Sequence, residues 1–239
     1  KKILFEKNSG QVRSIASLTK LMTALVFLDN NPGWEKEITM DSSDMRPGGQ
    51  TQLIAGEKLT ARDAFFAMLV GSANEAAVAL SRYTGLSEQD FISQMNIKAE
   101  ALGMSGAVFK DVTGLDPDNQ ASAVDVMFLA QEAFNHQEIV SATSLKQREI
   151  NILNKNIARR ILNTDKILGQ DLGTEILSYR VQAGKTGYLE KAGYCFTSQI
   201  KNEKGQSILT VVLGSATITD RFNDTKSLAY WAFNHYLWP

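Results

Sequence analysis

The sequence predicts an α+β fold: a mainly antiparallel sheet flanked by helices, with a helical lobe inserted into it. Three observations predict it. Strand-like runs lie near both ends of the chain, at 2–6 and at 179–186, 193–200 and 207–214. Apolar residues recur at helical spacing between them. With 239 residues, 44% of them hydrophobic, the chain can bury a sizeable core. We expect one domain over 1–239, with a sheet lobe from about 1–20 and 145–239 and a helical lobe from about 21–144.

Lys2-Ile3-Leu4-Phe5-Glu6 reads as a short strand, and Asn8-Ser9-Gly10 as a turn. Leu18, Leu21, Met22, Leu25 and Val26 then mark a helix from about Ser17, stopped by Asn30-Asn31-Pro32-Gly33. Glu37–Met40 suits a short strand and Arg46–Gln50 an exposed loop. Thr60-Ala61-Arg62-Asp63 resembles a capping box with Asp in the Glu position, opening a helix that breaks at Gly71–Asn74. Further helices run to Gly85, from Ser87 to Leu102, and from a Ser122 cap to about Asn135. The 104–120 region is rich in Gly, Asp and Pro and reads as irregular. Residues 147–168 read as an exposed hairpin or loop around Asn154-Lys155-Asn156. Three strands follow, the last two joined by a turn at Asn202–Gly205. A closing helix spans Asp220–Tyr236, with Leu228, Trp231 and Ala232 on it.

Composition excludes several classes. The formal charge is −1 and no Lys/Arg block stands out, so nucleic acid is not an expected partner. No run of 18 apolar residues could span a membrane. The chain starts at Lys1 with neither an initiating Met nor a signal-peptide pattern, so we expect a processed or trimmed product. The single cysteine, Cys195, cannot form an internal disulfide; it suits a reducing compartment or a disulfide-free exported protein. Flanked by Tyr194 and Phe196, it reads as a packed residue rather than a nucleophile. His136 and His235 lack metal-ligand spacing, so neither a metal site nor a Ser-His-Asp triad is expected, and no cofactor.

Chemistry concentrates in three short motifs. Ser17 and Lys20 are three apart and share a helical face. A serine hydroxyl is a weak nucleophile until a neighbouring amine, kept neutral by burial, takes its proton. Near a helix start, Ser17 also meets free N–H groups that favour developing negative charge. The competing reading of Ser17 is a helix N-cap with a solvated lysine one turn on. A second such pair, Ser198 and Lys201, lies in an alternating run, where positions three apart face opposite sides. Ser72-Ala73-Asn74 sits at a helix break, where hydroxyl and amide can project into a cleft. Lys185-Thr186-Gly187 ends a strand; its lysine and hydroxyl suit a carboxylate, and its glycine lets a ligand approach the backbone. Each motif alone is weak. Together and in this order they match the set of penicillin-binding proteins and class A β-lactamases.

The segment from Ser14 to Ala24 resembles the active-site segment of the D-alanyl-D-alanine carboxypeptidases, the low-molecular-mass penicillin-binding proteins. So do Ser72–Leu80, Met95-Asn96 with Ala101–Met104, Thr113–Leu115, and Lys185–Tyr188 with Ala192–Tyr194. The resemblance covers nearly the whole chain. It implies a β-lactamase/transpeptidase-like fold and an extracytoplasmic, monomeric enzyme that hydrolyses peptidoglycan stem peptides ending in D-Ala-D-Ala and is inhibited covalently by β-lactams. It also implies roles. Ser17 attacks the carbonyl between the terminal D-alanines and forms an acyl-enzyme, with Lys20 as base. Ser72 relays a proton to the leaving amine, and Asn74 positions the substrate amide and Lys20. Lys185 and Thr186 hold the terminal carboxylate, beside Gly187, and the N–H groups of Ser17 and Tyr188 form the oxyanion hole. Arg221 matches a basic position near the Lys-Thr-Gly strand, with a supporting electrostatic role; a plain helix-start arginine is the alternative.

The chain departs from the family in three places. The family's first strand would precede Lys1. Asn163-Thr164-Asp165 stands where Asn-Thr-Asn is common. The additional β-rich domain and membrane-anchoring tail of many members are absent from this sequence, which leaves membrane attachment open. Glu149 and Asn154 superficially resemble the Glu-x-x-Leu-Asn loop of class A β-lactamases, but their spacing is one residue too long. That loop disfavours a β-lactamase, and the intact motif residues disfavour a non-catalytic penicillin-binding or sensor module. Cleavage of D-alanyl cross-links by an endopeptidase is a variant that the sequence does not separate from carboxypeptidase action.

Overall fold

The computed structural model describes residues 2–47, 53–173 and 177–238. Its strands are β1 (Arg13–Ser14), β2 (Glu37–Thr39), β3 (Lys58–Thr60), β4 (Gln120–Ala121), β5 (Gln147–Ile152), β6 (Ile157–Leu162), β7 (Tyr179–Leu189), β8 (Gly193–Asn202) and β9 (Ser207–Ser215). Its helices are α1 (Thr19–Asp29), α2 (Ala61–Val70), α3 (Asn74–Tyr83), α4 (Glu88–Ala101), α5 (Ala123–Ala133), α6 (Gln137–Thr143) and α7 (Ile218–His235). Among the described residues the main sheet is the antiparallel set β7-β8-β9, and β1-β4, β2-β3 and β5-β6 are two-stranded. No described helix is long and apolar enough to cross a membrane.

Side chains alternate across β7-β8-β9 as the pleat requires, which puts a core on each face. Ala183, Cys195, Leu209, Val211 and Leu213 face the helices of the larger core. Val181, Phe196, Ile200 and Ile208 face Phe222, Ala229 and Phe233 of α7. Helix α1 runs through the larger core. Every residue from Thr19 to Phe27 is buried, so it is enclosed on all sides rather than amphipathic. Each fully buried Leu, Met or Phe on it contributes roughly 1.5–3 kcal/mol relative to exposure. That burial holds Lys20 away from water.

The caps explain where the helices begin. Thr60 Oγ1 accepts from Asp63 N–H, but the Asp63 carboxylate does not close the box. Its Oδ2 accepts from Asn151 N–H on β5 at 2.9 Å and so ties the β5-β6 hairpin to α2. The hairpin is less exposed than its alternating charges suggest: Ile150, Ile152 and Ile161 are buried in the larger core. Ser122 and Asp125 form a reciprocal capping box on α5. Thr217 and Asp220 do the same on α7, which therefore starts before Asp220. Helix α6 is an addition to the elements read from sequence.

The expected strand at Lys2–Glu6 is not formed. The segment has strand-like residues but no ladder partner among the described residues, and β propensity without a neighbour does not make a strand. Phe5 instead lies against Trp231 of α7, ring centroids 6.1 Å apart. Of the loop read at Arg46–Gln50, residues 48–50 lie outside the described residues. Pro47 is not merely exposed: its carbonyl takes part in the site below.

Candidate active site

A 3₁₀ turn over Ala16–Leu18 precedes α1, and Ser17 stands in its middle. Neither the turn nor α1 has a side-chain cap, so Ser17 is not an N-cap. The turn begins with strain: Ala16 has φ +48, unusual for a non-glycine residue. Gly114, at φ +84, packs under it; a Cβ there would sit 2.0 Å from Ala16 O and 2.9 Å from Ser17 N. We expect Gly114→Ala to destabilise the fold by at least ~2 kcal/mol in urea and to slow acylation of Ser17, because both the φ and the contact forbid a side chain. Wild-type stability would show that the turn can move aside.

Lys20 is fully buried. Its Nζ lies 3.0 Å from Ser17 Oγ, 2.6 Å from Asn74 Oδ1 and 2.6 Å from Thr113 O. The orientation of the Asn74 amide is fixed independently, because its Nδ2 donates to Pro47 O at 2.7 Å. Burial lowers Lys20 to about 7, against the opposing charges of Asp111 and Glu75. The geometry then dictates the chemistry. A neutral amine has two N–H groups and one lone pair. Two of its neighbours are carbonyl oxygens, which only accept, so they take the N–H groups and leave the lone pair to the Ser17 hydroxyl.

Ser72 stands between α2 and α3 in the left-handed region, φ +60, again an uncommon conformation for a residue with a side chain. Its Oγ accepts from Lys185 Nζ at 2.8 Å, and Lys185 also donates to Thr186 O at 3.0 Å. Burial, Lys20 and Arg221 push Lys185 well below the usual lysine range, and Asp165 opposes them. Thr186 Oγ1 donates to Thr164 Oγ1 at 2.6 Å. Gly187 presses β7 against the turn: a Cβ there would lie 2.9 Å from Ile15 O and 3.2 Å from Ser17 N. Tyr188 is half exposed and stacks on Tyr194, centroids 4.3 Å apart. Arg221 is buried and not a surface residue; its Nη1 donates to Gly187 O at 3.1 Å and Cys195 O at 3.4 Å.

The fold thus brings Ser17, Lys20 and Asn74 into one hydrogen-bonded set, and Ser72, Lys185 and Thr186 into a second. Gly187 adjoins them on β7, and Arg221 reaches it from α7. The second Ser-x-x-Lys pair does not assemble: Ser198 Oγ is buried 2.8 Å from Thr210 Oγ1, while Lys201 is exposed. Cys195 is buried, which pushes its thiol up.

Several participants were given no role from sequence, although Thr113–Leu115 was among the segments that resemble the family. Thr113 and Pro47 contribute only backbone carbonyls. Asp111 accepts from the N–H groups of Thr113, Gly114 and Asp116, from Thr113 Oγ1 and from Asn119 Nδ2, and so fixes the loop that presents Thr113 O to Lys20. The available signal was Asp111-x-Thr113, a pairing suited to side-chain-stabilised turns.

The family model described as D-alanyl-D-alanine carboxypeptidase matches residues 1–217. The chain belongs to the D-alanyl-D-alanine carboxypeptidase family. Within it, a D-alanyl-D-alanine endopeptidase of Haemophilus influenzae is 34% identical over 229 residues, 95% of this chain and 76% of the relative. A penicillin-binding protein of Listeria monocytogenes, solved in its ampicillin-bound form, is 30% identical with a TM-score of 0.77 and covers 95% of this chain and 90% of its own. A Streptomyces DD-transpeptidase, at 24% identity and a TM-score of 0.82 over 95% of this chain and 90% of its own, shares the fold. The carboxypeptidase-family chain therefore carries the β-lactamase/transpeptidase-like architecture that the three motifs implied.

Proposed function

We propose that the protein is a serine-type D-alanyl-D-alanine carboxypeptidase that trims peptidoglycan stem peptides outside the cytoplasm and acts as a monomer. The observation that carries this reading is the Lys20 environment, in which two carbonyls direct the lysine lone pair at Ser17 Oγ. Ser17 Oγ attacks the carbonyl carbon of the penultimate D-alanine as its proton passes to Lys20. The N–H groups of Ser17 and Tyr188 hold the developing oxyanion, at about 3–4 kcal/mol per donor. The C–N bond breaks, the leaving amine takes a proton through Ser72, and free D-alanine departs. Water then hydrolyses the Ser17 ester. Lys185 and Thr186 hold the substrate carboxylate, with Arg221 behind them. A β-lactam, which also carries a carboxylate beside a reactive carbonyl, follows the same acylation path.

Fluorescent penicillin should label the protein on Ser17, and monomeric muropeptides should lose one D-alanine. Labelling that survives Ser17→Ala, or muropeptides recovered intact, would overturn the reading. An endopeptidase variant of the same chemistry is supported by the 34% identity to such an enzyme. Cross-linked muropeptides in the same assay decide between the two: mass analysis would find monomers released rather than D-alanine.

A further inference from the structure

Asp165 takes no part in the steps above, yet it is buried beside them, 6% exposed. It follows Thr164, the partner of Thr186. Its N–H donates to Asn163 Oδ1 at 2.8 Å, and its Oδ1 accepts from Ile167 N–H at 2.9 Å. Its other oxygen, Oδ2, is buried without a hydrogen-bond partner among the described residues. An unpartnered buried carboxyl oxygen is costly, so it needs a reason. Oδ2 lies against β7 one residue before Lys185: a Cβ on Gly184 would come 3.0 Å from it and 2.9 Å from the Phe196 ring. A side chain at 184 would crowd both the carboxyl and the Phe196 ring. Arg221 Nε is likewise buried and has no hydrogen-bond partner among the described residues. Among the described residues no ion pair joins Asp165 to either cation, so its charge acts through space.

We propose that Asp165 is a positioning residue, the titrating counter-charge of the Lys185–Arg221 clamp, through which acid strengthens binding of carboxylate-terminated ligands. The inference rests on the reading of Lys185 as the carboxylate site. The charged groups that act on Asp165 are Arg221 from α7 and Lys185 from β7; burial raises its carboxyl to about 6 against their pull. Ionised, Asp165 neutralises part of the clamp and repels an arriving carboxylate. Protonated, it does neither. A bound carboxylate must therefore raise the Asp165 pKa, and by linkage its affinity rises as pH falls through about 6.

The test measures binding in a Ser17→Ala background, which prevents turnover. Its ligands are a peptide ending in D-Ala-D-Ala and the same peptide amidated at its C-terminus. The acid should bind more tightly at pH 5 than at pH 7.5, on the order of tenfold for a coupling of one pK unit. Lys20 contributes to that ratio, so the deciding comparison is Asp165→Asn, which should shrink it at least ~3-fold while the amide binds equally well to both. An unchanged ratio in Asp165→Asn overturns the inference alone. Acid and amide binding alike at every pH overturns the carboxylate clamp itself. If Asp165→Asn does not fold, carbon-13 NMR of the Asp165 carboxyl decides. Its midpoint should move to higher pH with the acid and not with the amide, and a midpoint indifferent to the acid overturns the proposal.

Discussion

Lys20→Met should lower the rate of acylation by penicillin by at least ~10³-fold, within the range observed for loss of a general base. Methionine fills the same buried space without a lone pair, so the effect isolates the base from the packing. The Ser17 hydroxyl then has no acceptor among its described contacts, and nothing takes its proton as Oγ attacks. The pH profile of the wild type carries the same information. Lys20 must be neutral to act, so acylation should rise about tenfold per pH unit below 7 and level off above it, following the lysine's pKa of about 7. A lysine in water would put this limb above 10. Single-turnover labelling with penicillin between pH 5 and 9 measures both quantities. An acid limb near 10, or a Lys20→Met variant within tenfold of wild type, would show that another group activates Ser17.

The second large effect lies after acylation. The penicilloyl-enzyme should release at least ~100-fold more slowly than the peptidyl-enzyme, equivalent to about 2.7 kcal/mol of barrier. With a peptide the D-alanine leaves, and water can approach from the vacated side with Lys20 or Ser72 as base. With penicillin the leaving amine stays tethered and blocks that side. A class A β-lactamase overcomes this with a glutamate, and here the nearest sequence candidate is otherwise placed. Glu149 is an exposed residue of β5 opposite Arg160, while Asn154 bonds Lys58 N–H and Gly56 O at the hairpin tip. Deacylation after a single-turnover pulse gives the two lifetimes. Rapid repeated hydrolysis of penicillin, abolished by Glu149→Gln, would place the protein among the β-lactamases.

The site was more legible in the sequence than the local structure that supports it. Activating a hydroxyl and binding a carboxylate require particular side chains at short spacing, and Ser17-x-x-Lys20, Ser72-x-Asn74 and Lys185-Thr186-Gly187 each keep that spacing within a few residues, across the start of α1, the start of α3 and along β7. The three main-sheet strands were legible for a similar reason: their alternation follows the two buried faces. What escaped was carried by the backbone or set by distant partners. Thr113 O, Pro47 O and the positive φ of Ala16 and Ser72 leave no mark on residue identity. Residues 2–6 have strand-like composition, but pairing needs a neighbour that composition does not announce. Asp165 reads from sequence only as a departure from Asn-Thr-Asn, until the fold buries it against Gly184 and within the field of Arg221.

The bonds that assemble the site span long stretches of chain. Lys20 reaches Asn74 across 54 residues and Thr113 across 93, and Lys185 reaches Ser72 across 113. Contacts of that separation form late, because loop-closure entropy must be overcome before they stabilise anything. An incompletely folded chain can hold α1 as a helix, with Ser17 and Lys20 three residues apart, and still lack the carbonyls that turn the lysine toward the hydroxyl. Its lysine would be solvated and charged, and its serine inert. The contacts of Lys20 with Asn74 and Thr113 therefore require the chain to have closed over α1, and the helix by itself cannot supply them.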